Sequence, residues 1–253
     1  MAACLCVFYH TAADAALRGL QSLEHVEDIY QGPLNYEFAP ERLPAIAHEL
    51  SETQVPVTPT LNAFYQLTML SVEKELFLES IPTDYTSSII AFEEKRNQVK
   101  RWLASTESMA THNQKTLKFL QLVTRVFNDS GITMLVGSDS GVLLSPHGLA
   151  THNEIRLMHD AGLSTFEVLA AATVNPAKAL ELENRIGKVS EGFDADFIFS
   201  LTSPIDDLRV LEEPDAVIKH GVWYSKQDLT DIRRSAIASR SIWQELWTLW
   251  DAL

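Results

Sequence analysis

The strongest constraint on the fold is an apolar segment, ITMLV at residues 132–136, that leads directly into the polar turn GSDSG at residues 137–141. An apolar run of this length, bounded by turn residues, predicts a buried strand. A helical pattern follows from about residue 148, and the same order of strand, polar loop and helix occurs earlier in the chain. Repetition of this unit predicts a parallel α/β architecture.

Other segments extend the pattern on both sides. Further strands are predicted at 3–9, 22–25 and 55–61. Helices are predicted at 12–20, 40–52, 113–128, 148–161, 164–172 and 175–182, with a polar helical stretch at 71–104. The helix at 113–128 has one apolar face, formed by Leu117, Leu120, Val123 and Phe127. From about residue 186, glycines separate short strands at 197–201, 216–218 and 222–224. This change of character is typical of a small β domain.

Composition and charge exclude several classes of partner. The formal net charge of −14 leaves no basic footprint for a nucleic acid. The apolar N-terminal run is too short to cross a bilayer and lacks the positive region of a signal peptide. The two cysteines, Cys4 and Cys6, favour a reducing compartment, and they are read either as small buried hydrophobes or as a soft-metal pair. We therefore expect a cytoplasmic protein with no nucleic-acid or membrane partner.

Three polar side chains directly follow predicted strands, namely His10, His25 and Asp139. In parallel α/β barrels the catalytic groups lie just after the C-terminal ends of strands. Two imidazoles and a carboxylate suit zinc, and they also suit manganese or iron. A carboxylate near metal-bound water can take its proton, which makes Asp139 a candidate catalytic residue. The alternatives are that Asp139 serves the turn and that each histidine has a structural role.

The strand ends resemble those of the amidohydrolase superfamily. SLEH at residues 22–25 resembles the S-I-E-H segment that ends the family's sixth barrel strand. VPVTPTL at 55–61 is similar to the P-T-L of the seventh strand, and GITMLVGSDSG at 131–141 is similar to the eighth strand and its G-T-D-S turn.

The resemblance continues in the same order towards the C-terminus. Matching segments are HGLATHNE at 147–154, AGLST at 161–165, AATVNPA at 171–177, IGKVSEGFDADF at 186–197 and VIKHG at 217–221. The likeness runs from about residue 22 to residue 225 and is greatest to imidazolonepropionase-like and prolidase-like members. It implies a metal-dependent hydrolase of carbon–nitrogen bonds, non-peptide or dipeptide amides, in a small-molecule substrate, with zinc as the expected divalent metal.

The resemblance implies a role for each candidate residue. Asp139 matches the eighth-strand aspartate, a metal ligand that also activates the attacking water. His25 matches the sixth-strand histidine ligand, and His10 matches the fifth-strand histidine. His147 and His152 fall where the family's substrate-side loops lie. The alternative for these last two is a position at a helix start or on the surface.

The implied architecture is α/β, with a partial (β/α)8 TIM-like barrel made of about the last four strands. The barrel portion is predicted at 1–185, part of a small β-sandwich at 186–228 and a C-terminal helix at 229–253. No His-x-His pair of the family's first strand occurs, and the fourth-strand bridging residue has no counterpart. We therefore expect a truncated hydrolase with little activity of its own. The alternatives are a hydrolase completed by a partner or by self-association, and a non-catalytic α/β interaction module.

The last predicted helix carries an apolar seam. Its members follow a spacing of three and four residues and are Leu229, Ile232, Ala236, Ser239, Trp243, Leu246, Trp250 and Leu253. This a/d spacing is typical of a helix that packs along one face. Two interpretations remain open: the seam packs on the chain's own barrel helices, or it mediates self-association.

Overall fold

The computed structural model describes residues 3–4, 20–84 and 86–239, together with residues 241, 243, 245 and 247. Residues 12–19 of the predicted helix 12–20 and most of the predicted strand 3–9 therefore lie outside the described residues. His10 lies outside them as well.

The predicted strands before residue 140 lie side by side in one parallel sheet. Strands β1 (Ala3–Cys4), β2 (Ser22–Glu24) and β3 (Val57–Thr58) are hydrogen-bonded in that order. Residues 132–136 lie next to β3 through a parallel bridge between Val57 and Met134. Val57 N donates to Thr133 O at 2.9 Å, and Leu135 N donates to Val57 O at 2.8 Å. The segment therefore lies where a fourth strand was predicted, but it forms a single bridge.

Helical residues cover the other side of this fourth segment, and they explain why it pairs on one side only. Val136 N donates to Ala171 O at 2.9 Å, and Asn175 Nδ2 donates to Met134 O at 2.9 Å. An exposed sheet edge offers unpaired backbone groups to other chains. Ala171 and Asn175 satisfy two of these groups at this edge.

The helices agree with the predicted ones at most positions. They are α1 (Glu27–Gln31), α2 (Leu43–Thr53), α3 (Leu61–Val72), α4 (Glu75–Ser80), α5 (Ser88–Arg96), α6 (Gln98–Leu103), α7 (Glu107–Asp129), α8 (Leu149–Asp160), α9 (Thr165–Ala172), α10 (Val174–Ala179) and α11 (Lys226–Ala238). Short 3-10 turns lie at Pro40–Arg42, Val142–Leu144 and Leu208–Leu211. Helix α7 begins earlier than predicted because the Thr106 hydroxyl accepts from Met109 N at 3.2 Å, an N-terminal cap.

Helix α3 was not predicted from the sequence. Its buried residues include apolar Leu61, Phe64 and Leu70, but also polar Asn62 and Gln66. A helix that is buried on several sides and carries buried polar groups has no clean apolar stripe. Helix α3 packs against α7, whose predicted apolar face is confirmed by the buried residues Leu120, Val123 and Phe127.

The region after residue 186 contains the predicted β structure. Strands β4 (Phe197–Phe199), β5 (Ala216–Lys219) and β6 (Val222–Ser225) form an antiparallel sheet in that order. Helix α11 follows β6 directly, and Ser225 and Asp228 form a capping box at its start. The division at residues 185 and 228 stays a prediction.

The seam of the last helix is mostly exposed where the structure describes it. Helix α11 has no buried residue; Leu229 is half-buried, and Ile232, Ala236, Ser239 and Trp243 are exposed. Packing of these residues on the barrel helices is therefore not seen in the described part of the chain. Self-association through this helix stays a prediction.

Two negative findings apply to the described residues alone. Their short parallel strands do not close into a barrel. None of their helices combines the length and the apolar character needed to cross a membrane.

Candidate active site

Three strand ends share an uncommon backbone conformation. His25 follows β2 with φ of 67°, Thr60 follows β3 with φ of 56°, and Asp139 follows the 132–136 segment with φ of 46°. Positive φ is uncommon for residues other than glycine, and such strained residues cluster at active sites and ligand clamps. Because the strands are parallel, all three residues lie at the same edge of the sheet.

The register of the strands places His25 and Asp139 on either side of β3. His25 N donates to Thr58 O at 2.9 Å, and Val57 pairs with Met134. Two strand spacings, roughly 10 Å, therefore separate the backbones that lead to the two residues. The structure thus brings these two predicted ligands to one edge of the sheet.

The two side chains differ in their surroundings. The imidazole of His25 is half-buried, whereas the carboxylate of Asp139 is exposed and has no hydrogen bond or ion pair within the described part of the chain. Among the described residues, no group of three or more His, Cys, Asp or Glu side chains is arranged to hold a metal ion. The third predicted ligand, His10, falls in a stretch that the structure does not describe.

Gly137 marks the closest approach between β3 and the turn that carries Asp139. A Cβ atom added to Gly137 would lie 2.5 Å from Thr58 Cγ2, closer than Cβ atoms come to other heavy atoms. Only glycine therefore fits this position without a shift of the turn or of Thr58. The glycine before the turn has a packing role that the sequence pattern alone does not reveal.

His147 lies against the Asp139 turn. Its Nδ1 is 3.0 Å from Ser140 Oγ, and Ser140 directly follows Asp139 in the chain. Helix α8 has Gly148 as its N-cap and no side-chain cap, so His147 does not cap this helix. Its exposed imidazole lies beside the turn that carries Asp139.

His152 lies on α8, between two clefts. The first cleft has a volume of about 260 Å³ and is lined by His152, Asn62, Ser145 and Glu212 among others. The second has a volume of about 230 Å³ and lies between α8 and the 3-10 turn Leu208–Leu211. Burial lowers the pKa of His152, and the negative charge of Glu212 opposes this effect. Neither cleft is lined by His25 or Asp139, so the structure does not join His152 to the strand-end pair.

A buried polar network beneath the turn was missed by the sequence analysis. Glu154 is fully buried, and its carboxyl oxygens accept hydrogen bonds from Leu61 N at 3.0 Å and Asn62 N at 2.6 Å. The sequence did contain a pattern that indicates burial of Glu154. Glu154 lies four residues from both Ala150 and Met158, on the same, buried face of α8. A carboxylate on an apolar helix face requires a partner.

Comparison with known proteins places these features in a family. The sequence model of the Amidohydrolase family matches residues 81–224, more than half of the chain. The matched range contains Asp139, His147 and His152, whereas His25 lies before it. No curated protein sequence matches the chain significantly.

Solved structures share the fold at low sequence identity. A bottromycin amidohydrolase is 24% identical with a TM-score of 0.67, and the match covers 90% of this chain and 51% of that one. A Xaa-Pro dipeptidase with bound methionine is 21% identical with a TM-score of 0.54, covering 85% and 42%. The A. niger ochratoxinase is 20% identical with a TM-score of 0.55, covering 85% and 39%.

The chain spans about half or less of the length of these structures. The family model covers the strand end at Asp139, whereas those at His25 and Thr60 lie before the matched range. The chain belongs to the amidohydrolase family.

Proposed function

We propose that the chain carries part of the metal centre of a hydrolase that cleaves carbon–nitrogen bonds in small molecules. The observation that carries the proposal is the placement of His25 and Asp139, both at positive φ, at one edge of a parallel sheet. The sheet is interpreted as part of a (β/α)8 barrel, in which this edge is the catalytic one.

The donor types fit a divalent metal. An imidazole nitrogen and a carboxylate oxygen are ligands for zinc, and they also serve manganese and iron. His25 and Asp139 would hold the ion, with His10 as the proposed third ligand. When bound, such an ion lowers the pKa of a coordinated water and makes hydroxide available near neutral pH.

The chain's own residues supply the remaining chemistry. The carboxylate of Asp139 would accept a proton from the attacking water and return it to the leaving nitrogen. His147, beside Ser140, would contact the substrate near that carboxylate. His152 lines a cleft separate from the strand-end pair, where burial lowers the pKa of its imidazole, and it would contact a more distant part of the substrate.

The substrate class follows from the family rather than from the clefts. The neighbours named above include a dipeptidase and an amidohydrolase, and both names describe enzymes that act on amide bonds. We therefore propose a small amide, non-peptide or dipeptide, as the substrate. The chain matches about half of each neighbour, so the proposal concerns the part of the site that these residues supply.

A non-catalytic interaction module is the second candidate. The observation that favours it is the lack of a third metal ligand near His25 and Asp139 among the described residues. On this alternative, the chain keeps the scaffold of the family but binds no metal at the strand ends.

Metal content tests the proposal. We expect the purified chain, loaded with zinc and dialysed, to hold at most one weakly bound ion, because His25, Asp139 and His10 are too few ligands for a two-metal site. Elemental analysis measures the number of zinc ions per chain, and Asp139→Asn should lower that number. Asp129→Asn is the matched control, because Asp129 is an exposed carboxylate before the 132–136 segment, at its other end.

Two outcomes would contradict parts of this account. Two tightly bound ions per chain would show that the ligand set is larger than the one proposed. Absence of any metal in the parent chain would favour the interaction module.

A further inference from the structure

Asn62 connects the end of β3 to both ends of the turn that carries Asp139. Its Nδ2 donates to Ser138 O at 2.8 Å and to Ser145 Oγ at 2.8 Å. Its Oδ1 accepts from Asn153 Nδ2 at 2.7 Å. Both N–H groups and the carbonyl oxygen are therefore used, which fixes the orientation of the amide. Asn62 is 1% exposed, so water cannot replace these partners.

Helix α8 holds Asn62 from two directions. Asn153 holds its side chain, and Glu154 accepts a hydrogen bond from its backbone N–H at 2.6 Å. The first N–H groups of a helix have no partner within the helix. Glu154 supplies that partner at the start of α3, where Leu61 and Asn62 are the first two residues.

The turn held by Asn62 is strained. Asp139, Leu143 and Leu144 have positive φ angles of 46°, 53° and 63°, and Gly141 lies at 102°. Such conformations cost free energy and persist only where the surroundings enforce them. Within the turn, Gly141 N donates to Ser145 O at 2.8 Å, and Asn62 bonds Ser138 and Ser145 at its two ends.

We propose that Asn62 is a positioning residue that clamps the start of α3 to the turn 138–145 and so fixes the backbone that carries Asp139, while Glu154 holds that helix start on α8. The role of Asp139 itself rests on the proposed function. The clamp rests on contacts among buried groups and is tested separately.

The test compares two clamp variants with a buried control. Asn62→Ala removes all three side-chain bonds, and Ser145→Ala removes one of them with little change in shape. Asn113→Ala is the matched control, because Asn113 is a buried asparagine whose Nδ2 donates to Ser71 Oγ at 3.1 Å between α7 and α3. Native-state hydrogen exchange of residues 138–145 and zinc affinity are measured for each.

We expect Asn62→Ala to raise the hydrogen-exchange rates of residues 138–145 at least tenfold more than those of α7. Ser145→Ala should raise the rates of the turn by a smaller factor. Loss of groups that orient metal ligands typically weakens metal binding by about 10–100-fold, and we expect zinc affinity to fall in that range. Asn113→Ala should change exchange in α3 and α7 without a selective effect on the turn. If Asn62→Ala does not fold, Ser145→Ala carries the test.

If both clamp variants change hydrogen exchange equally across the chain, with no larger rise in residues 138–145, the clamp is overturned. A selective rise in exchange with unchanged zinc affinity would overturn its positioning role. A third outcome separates the clamp from the proposed function. If the parent chain binds no zinc, but the clamp variants still raise hydrogen exchange selectively in residues 138–145, the proposed function fails and the clamp stands.

Discussion

Replacement of Asp139 with asparagine is expected to lower hydrolysis of an amide substrate by at least about 100-fold, the lower range for loss of a general base. Asparagine keeps the size of the side chain but cannot accept the proton of the attacking water. The exposed position of Asp139 means that folding should be unaffected. The ratio of the parent's rate to that of Asp139→Asn is obtained from initial rates with a panel of dipeptides and acylated amino acids, measured with zinc present.

Asp129→Asn provides the control for this measurement, since it changes an exposed carboxylate that lies outside the proposed site. Near-full activity of Asp139→Asn would remove Asp139 from the mechanism. No activity in the parent chain, alone or with added metal, would favour a truncated hydrolase that is inactive by itself; metal binding by that chain would then separate it from the interaction module.

The second large effect is a loss of folding stability as pH rises, caused by Glu154. Burial raises the pKa of Glu154 to about 8 from an ordinary value of 4.5, although backbone N–H groups of residues 60–62 oppose the shift. Between these two values the folded chain keeps a proton that the unfolded chain has lost. The free energy of unfolding should therefore fall by about 1.4 kcal/mol for each pH unit in this window and level off above it.

Glu154→Gln removes this titrating group. The difference between the parent and this variant therefore isolates the contribution of Glu154 from those of all other titrating groups. We expect the unfolding free energy of the parent, measured with urea, to fall relative to that of Glu154→Gln as the pH rises from 5 to 8. Glu167→Gln is the control: hydrogen bonds from Ser164 and Asn128 lower the pKa of Glu167, so its contribution is lost only on acidification. A parent-to-Glu154→Gln difference that stays constant from pH 5 to pH 9 would show that Glu154 has no raised pKa.

Local patterns in the sequence predicted the strand ends and most helices. The apolar run 132–136 and the turn after it placed Asp139 at the end of a sheet segment, and the structure has it there. The spacing in helix α7 predicted its buried face because a helix with one apolar stripe has a clear period. These features depend on neighbours within a few residues.

The buried network could not be predicted because its partners are distant in sequence. Glu154 and Asn62 are 92 residues apart, and Asn62 and Ser138 are 76 residues apart. Burial of Glu154 follows from its helix face, but the identity of its partner does not. The positive φ of His25 likewise depends on tertiary context, since histidine gives no such signal in a sequence.

Manganese-induced broadening of amide NMR signals tests the central claim most directly, namely that His25 and Asp139 hold one metal at one edge of the sheet. With a stoichiometric amount of Mn²⁺, the account predicts that the signals of His25, Thr60 and Asp139 broaden first and together. The same addition to Asp139→Asn should leave them sharp. Broadening centred elsewhere, such as the acidic residues 206–213, or broadening that Asp139→Asn does not change, would contradict the account.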